Sequence, residues 1–183
     1  MPSAAGGPRR SRAVYAETMA RPTPDPIALG QESVWAYPRP PRIEPVASRV
    51  VIRLGGEVVV ETDDVVRVLE TSHPPVYYLP IASFAGGALA DAEGTSYCEF
   101  KGSARYLDVR GGGMTAARAA WNYPRPSAGY EALAGRVAVY AGQMDSCEVD
   151  GELVTPQPGR FYGGWITSRI AGPFKGVTGS VGW

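Results

Sequence analysis

A hexapeptide that occurs twice constrains this chain more than any other feature. Trp35-Ala36-Tyr37-Pro38-Arg39-Pro40 returns as Trp121-Asn122-Tyr123-Pro124-Arg125-Pro126, identical at five of six positions. Each residue before a proline is pushed out of the helical region, so both copies predict extended backbone. The repetition continues outward. Arg49-Val50-Val51-Ile52 follows the first copy and Arg136-Val137-Ala138-Val139 the second. His73-Pro74-Pro75-Val76-Tyr77-Tyr78 is matched by Gln157-Pro158-Gly159-Arg160-Phe161-Tyr162, and Phe100-Lys101-Gly102 by Phe174-Lys175-Gly176. Markers that recur in one order predict internal duplication. The two halves are expected at 32–115 and 116–183, together one compact unit, behind a Pro/Arg-rich tail over 1–31 that is expected to be disordered or loosely draped.

Between the markers the signals are those of short strands and tight turns. β-rich runs over Ser48–Leu54 and Glu57–Glu61 flank Gly55-Gly56, a two-residue hairpin signal, and Asp150-Gly151 between Cys147–Val149 and Glu152–Thr155 is a stronger one. Further strands are expected at Val65–Leu69, Val76–Ile81, Tyr97–Phe100, Ala104–Val109, Arg136–Tyr140 and Phe161–Ile170, with Ser83–Thr95 as a Gly/Ala loop. Gly111-Gly112-Gly113 reads as a hairpin connection, because a phosphate-cradling loop needs a following Lys-Ser/Thr and a helix. One short helix is predicted near 127–134, with Ser127 as cap and Gly135 as stop. The fold class is therefore mainly β, antiparallel and internally duplicated.

Composition removes several function classes. The formal net charge is zero, so non-specific attraction to nucleic acid or to anionic membrane is not expected. No apolar run spans a bilayer, and the arginines at 9, 10 and 12 have no apolar core behind them, so a cytoplasmic protein is expected. Two cysteines without a Cys-x-x-Cys pair predict neither a disulfide framework nor a zinc site. Neither a metal nor a cofactor is expected. Self-association into a homodimer stays open.

One count bears on function. Sixteen of the eighteen basic residues are arginine, and the two lysines, Lys101 and Lys175, both stand in Phe-Lys-Gly. Arginine-biased codon usage does not explain why both lysines fall at matching positions. A compact ammonium differs from a guanidinium in shape and in how readily it yields its proton when buried, so a role in binding or chemistry stands beside a structural one. His73, the single histidine, is the side chain whose ordinary pKa lies near neutrality, held beside two prolines, with Gln157 at the matching place. Tyr78, Trp121, Tyr162 and Trp165 belong to an aromatic set at the markers. Most of that set is expected in the core, and Trp165 beside Gly163-Gly164 is the choice for a pocket wall. Cys98 lies three residues before Lys101; on a continuous strand the two would face opposite ways, so Cys98 and Cys147 read as buried, inert thiols.

The set Trp-x-Tyr-Pro-x-Pro, Glu70-Thr71-Ser72-His73-Pro74-Pro75-Val76-Tyr77-Tyr78, Cys98-x-Phe100-Lys101-Gly102-x-Ala104-x-Tyr106 and Phe161-Tyr162-Gly163-Gly164-Trp165-Ile166-Thr167 with Gly172-Pro173-Phe174-Lys175-Gly176 resembles the bacterial and fungal family called domain of unknown function 427. The likeness covers about 32–183, with Phe100 where the family commonly has Trp. It implies a two-sheet "tent" like that of methionine sulfoxide reductase B and Mss4-like proteins, without their zinc-binding Cys-x-x-Cys pairs. It also carries a nucleotidyltransferase-like label. That chemistry needs a Gly-Ser turn followed by carboxylates at alternate strand positions to hold Mg²⁺. Gly102-Ser103 is followed by Asp108, but Arg110 stands at the second position, and Asp63-Asp64 are adjacent. Two functions stay open. One is a module that binds a small anionic or cyclic, nucleotide-like metabolite through Lys101, Lys175, Gln157 and the aromatics. The other is a metal-independent enzyme with His73 as acid/base and Lys101 stabilising developing negative charge.

Overall fold

In the computed structural model, residues 22–183 are described, and the expectation of a disordered tail falls outside the described residues over 1–21. Residues 22–31 run over the surface, where the Asp25 N–H donates to the Gly172 carbonyl and Gln31 Nε2 to the Ser168 carbonyl. Fifteen strands follow. They are β1 (Glu32–Ser33), β2 (Arg42–Val46), β3 (Val50–Leu54), β4 (Glu57–Thr62), β5 (Val65–Leu69), β6 (Val76–Pro80), β7 (Leu89–Cys98) and β8 (Gly102–Gly111). After them come β9 (Met114–Asn122), β10 (Arg136–Val139), β11 (Ser146–Val149), β12 (Glu152–Leu153), β13 (Thr155–Pro156), β14 (Trp165–Ile166) and β15 (Ile170–Ala171).

Two antiparallel sheets carry the architecture: seven strands in the order β2-β5-β6-β10-β9-β8-β7, and four in the order β12-β11-β3-β4. The fold is mainly β, as the alternation and turn chemistry predict. Three hairpin turns have both central residues at positive φ: Gly55 and Gly56 (61° and 77°), Gly112 and Gly113 (54° and 76°), Asp150 and Gly151 (54° and 81°). That is the geometry whose twist suits a two-residue hairpin, and it explains why these dipeptides were legible.

Side chains alternate across the large sheet. Val65, Tyr77, Leu107, Val109, Val137 and Val139 face the small sheet and meet Val50, Ile52, Leu54, Val59, Val60, Cys147 and Val149 in the main core. Val66, Val68, Tyr78, Ala104, Trp121 and Ala138 face the other way, under Tyr123, Tyr130 and Leu133. This second face is where the cavity lies.

Several expectations need correction. The Ser83–Thr95 loop is half strand: β7 is an edge strand, largely exposed, so it carries no hydrophobic alternation to be seen, and its pairing with β8 slips between Asp91 and Thr95, where Gly94 takes a positive φ. The strand expected over Phe161–Ile170 is reduced to Trp165–Ile166, because Gly163-Gly164 turn the chain tightly under Trp121 and Gln157. The helix near 127–134 is a single 3-10 turn, Glu131–Leu133, stopped by Gly135 at φ 74°. Three similar turns, Val34–Ala36, Ile81–Ser83 and Ala141–Gln143, gave no sequence signal.

The architecture does not show the expected duplication. The large sheet takes β2, β5, β6, β7 and β8 from one half and β9 and β10 from the other. The two hexapeptides also differ: Trp35 begins no strand but sits in a 3-10 turn with its Nε1 donating to the Pro173 carbonyl, whereas Trp121 is buried near the end of β9. Matching sequence was recruited to unlike environments, with β3 in the small sheet and β10 in the large one.

Candidate functional site

A cavity of about 470 Å³ opens on the second face of the large sheet. Tyr78 from β6, Trp121 from β9 and Tyr106 from β8 line it because they alternate onto that face. Tyr78 and Tyr77 make the alternation visible. Tyr77 goes to the main core and stacks on Trp165 at 5.2 Å, while the buried Tyr78 accepts a hydrogen bond from Trp121 Nε1 at 3.2 Å. Tyr140 tilts against the Trp121 ring at 4.5 Å.

Four turns supply the polar groups. The first is the corner Glu70–His73, held by the first hexapeptide and the residue before it: Thr71 Oγ1 donates to the Tyr37 carbonyl and the Ser72 N–H to the Val34 carbonyl. Ser72 turns the chain at φ 71° and delivers His73. The second is the β7–β8 connection. Cys98 pairs with Gly102, so Glu99, Phe100 and Lys101 form the hairpin loop, and Gly102 at φ 93° lets it close against Ser127. The third is 157–163, and the fourth is the Phe174–Gly176 turn, tied to the first corner where the Lys175 N–H donates to the Ser72 carbonyl. Gly176 sits at φ 114°, and a Cβ there would lie 1.9 Å from the Pro158 oxygen. Both Phe-Lys-Gly glycines are thus required by backbone geometry.

The structure brings His73, Lys101, Lys175, Tyr78, Tyr162, Trp121 and Gln157 to this one cavity. It does not bring Trp165, which is 1 % exposed, donates through Nε1 to the Val139 carbonyl and belongs to the main core. Gly163 and Gly164 make room for protein rather than for a ligand. A Cβ on Gly163 would lie 2.1 Å from the Trp121 ring, and one on Gly164 would lie 2.5 Å from Gln157 Oε1.

Sequence reasoning missed Arg39, Glu70, Cys98 and Tyr140, which also line the cavity, as does Tyr123 of the aromatic set at the markers. Cys98 is half-buried rather than sealed: the parity argument assumed a continuous strand, and the hairpin loop breaks it, so Cys98 and Lys101 reach the same cavity. Cys147 is buried in the main core, where desolvation pushes its thiol up to about 12.

Three cationic and two anionic side chains border the space: Arg39, Lys101 and Lys175 against Glu70 and Glu99. Arg39 contacts Glu70 and Glu99, each at 3.4 Å, and Lys101 Nζ is 3.9 Å from Glu70. Lys101 is 9 % exposed. Lys175 Nζ donates to the Trp183 main-chain oxygen at 2.7 Å and lies 5.9 Å from the centre of the Tyr162 ring. Burial, then the nearby Arg39 charge, holds the Lys175 ammonium below the usual lysine range. His73 is 9 % exposed and meets Tyr162 edge to face at 4.7 Å. Burial first, and then Lys175, Lys101 and Arg39, depress its pKa to about 3, so the ring is neutral at physiological pH.

Asp63, Asp64 and Asp108 do not line the cavity; Asp108 accepts from the Arg118 N–H and Asp64 binds Arg136. Among the described residues no group of three or more His, Cys, Asp or Glu side chains is placed to hold a metal ion, and no helix is long and apolar enough to cross a membrane. A family model described as Domain of unknown function (DUF427) matches residues 42–150. No curated protein matches the chain.

Proposed function

The chain belongs to the domain of unknown function family DUF427, and from that premise we propose that it binds a small anionic, cyclic metabolite of nucleotide-like character in the cavity on the large sheet. One observation carries the reading: both lysines of an otherwise arginine-only chain line the same 470 Å³ space, whose floor is aromatic. The volume lies in the range of small-molecule sites. Trp121 and Tyr140 offer ring surface to a planar ligand beside the fully buried Tyr78, and among the bordering side chains Lys101, Lys175 and Arg39 outnumber Glu70 and Glu99 by one, which favours an anion.

The catalytic readings have less support. A ring with a pKa near 3 is not an imidazolium at neutral pH, so it is a poor general acid as well as a weak base. The nucleotidyltransferase reading lacks carboxylates at the cavity in the alternate-strand arrangement it requires.

Thermal-shift screening of nucleotides, sugar phosphates and aromatic carboxylates tests the proposal, each with and without a divalent cation. A ligand at a hundredfold excess over its dissociation constant stabilises by about 2.7 kcal/mol, enough to read as a shift of several degrees. Stabilisation that Lys101→Arg and Lys175→Arg each reduce supports the site. Stabilisation only in the presence of the metal would favour the transferase reading, and no response from any anionic ring compound would overturn the proposal.

A further inference from the structure

Gln157 is 3 % exposed, and the orientation of its amide is dictated by its neighbours. Oε1 accepts from the Gly164 N–H at 3.0 Å, which makes Nε2 the donor end. Nε2 donates to the Lys175 carbonyl at 2.8 Å and lies 3.0 Å from His73 Nδ1. A reversed amide would set NH₂ against an N–H and oxygen against a carbonyl, so the network excludes it. With one hydrogen committed to Lys175, the other points at Nδ1, which must accept it. The ring proton of a neutral imidazole then sits on Nε2. Among the described residues, no hydrogen bond engages that Nε2.

We infer that Gln157 is a positioning residue that locks His73 as the Nε2–H tautomer, so that the cavity recognises an oxyanion, carboxylate or phosphoryl, by a neutral donor set among Lys101, Lys175 and Arg39. This inference rests on reading the cavity as an anion site. Its logic is electrostatic economy. Three cations already border the space with Glu70 and Glu99, and an imidazolium among them would be repelled. A neutral N–H adds a directed hydrogen bond without adding charge. Tyr162 holds the ring edge to face, and the Gln157–Lys175 bond couples the ring's orientation to the turn that carries one of the ammonium groups. A ligand that offers only donors at this point leaves Nε2–H unpaired and is disfavoured.

The single histidine makes the test direct. In the full-length chain labelled with ¹⁵N-histidine, long-range ¹H–¹⁵N spectra at pH 7 should show protonated Nε2 and unprotonated Nδ1. In Gln157→Glu the carboxylate can only accept, so the proton should move to Nδ1 and the two ring signals should exchange. Should that variant not fold, Gln157→Leu should leave the ring unlocked, with both tautomers in exchange. Titration of the wild type with inorganic phosphate, and separately with acetate, should move the Nε2–H signal and separate the two oxyanion types. A wild-type ring protonated at Nδ1, or at both nitrogens, overturns the inference, as does a Gln157→Glu ring that keeps its proton on Nε2. Anions that shift the lysine resonances but not Nε2–H overturn it while leaving the anion site standing. Anions that shift neither overturn both.

Discussion

His73 shows how burial converts a titratable residue into a fixed donor. Its pKa is lowered from 6.5 to about 3, chiefly by burial. Between these values the unfolded chain binds a proton that the folded chain refuses, so this group contributes stability that rises with pH from about 3 to 6.5 and is lost as pH falls through that window. At about 1.4 kcal/mol per pH unit the full span is worth on the order of 5 kcal/mol. Urea unfolding at pH 7 and pH 4 should therefore show a smaller loss on acidification for His73→Gln than for the wild type; equal losses would mean that the ring is protonated in the folded protein. The lysines make the second test at this scale. A guanidinium is larger and planar, so Lys101→Arg and Lys175→Arg should each weaken ligand binding by about tenfold or more while leaving Tm within about 2 °C, as measured by calorimetry with and without ligand. Full retention in both variants would return the lysine count to codon bias.

Among the elements, turns rather than strands set the tightest tolerances. The β3–β4 turn and the β8–β9 turn pack backbone against backbone. A Cβ on Gly55 would lie 2.4 Å from the Gly111 oxygen, and one on Gly112 would lie 1.9 Å from the Gly55 oxygen. Their neighbours Gly56 and Gly113 have open space around them, although both keep positive φ. Gly113→Ala should thus cost only the left-handed penalty, about 1–2 kcal/mol, and Gly112→Ala should cost clearly more, since its clash is with backbone that cannot step aside. Chemical denaturation of the pair decides it. A comparable clash separates ligand from protein as the reason for Gly163. Gly163→Ala should destabilise by about 1–3 kcal/mol, and Trp121→Phe should recover part of that loss in the double variant, because the obstructing atoms are the outer carbons of the Trp121 ring.

At the scale of the whole molecule, the large sheet is woven from both expected halves, with strands from Arg42 to Val139. β9 lies between β8 and β10, and β10 pairs with β6. The 3-10 turn at Val34–Ala36 packs near Leu69 and Ile170, far away in sequence. Fragments 32–115 and 116–183 should therefore fail to fold alone, and the intact chain should unfold in one transition seen alike by far-UV and tryptophan signals. A folded fragment with dispersed NMR signals would overturn the expectation that the two halves form one compact unit.

The sequence by itself determined what depends on neighbours along the chain. Alternation placed most of the strands, paired residues at left-handed φ placed three hairpins, and the repeated markers drew attention to His73, Gln157, Lys101 and Lys175. Tertiary structure decided what depends on which segments meet. Residues 99–101 became a loop, which brought Cys98 round to the side of Lys101. The bulged edge strand β7 carried no apolar face to be read. Trp165 went into the core because Val139 offered its indole an acceptor and Tyr77 a stacking face. Above all, the pairing of Gln157 with His73 joins residues 84 apart. Their matching positions in the repeat hinted at equivalence, but only the approach of the two corners, with Gly164 and Lys175 fixing the amide from either side, turned likeness into contact.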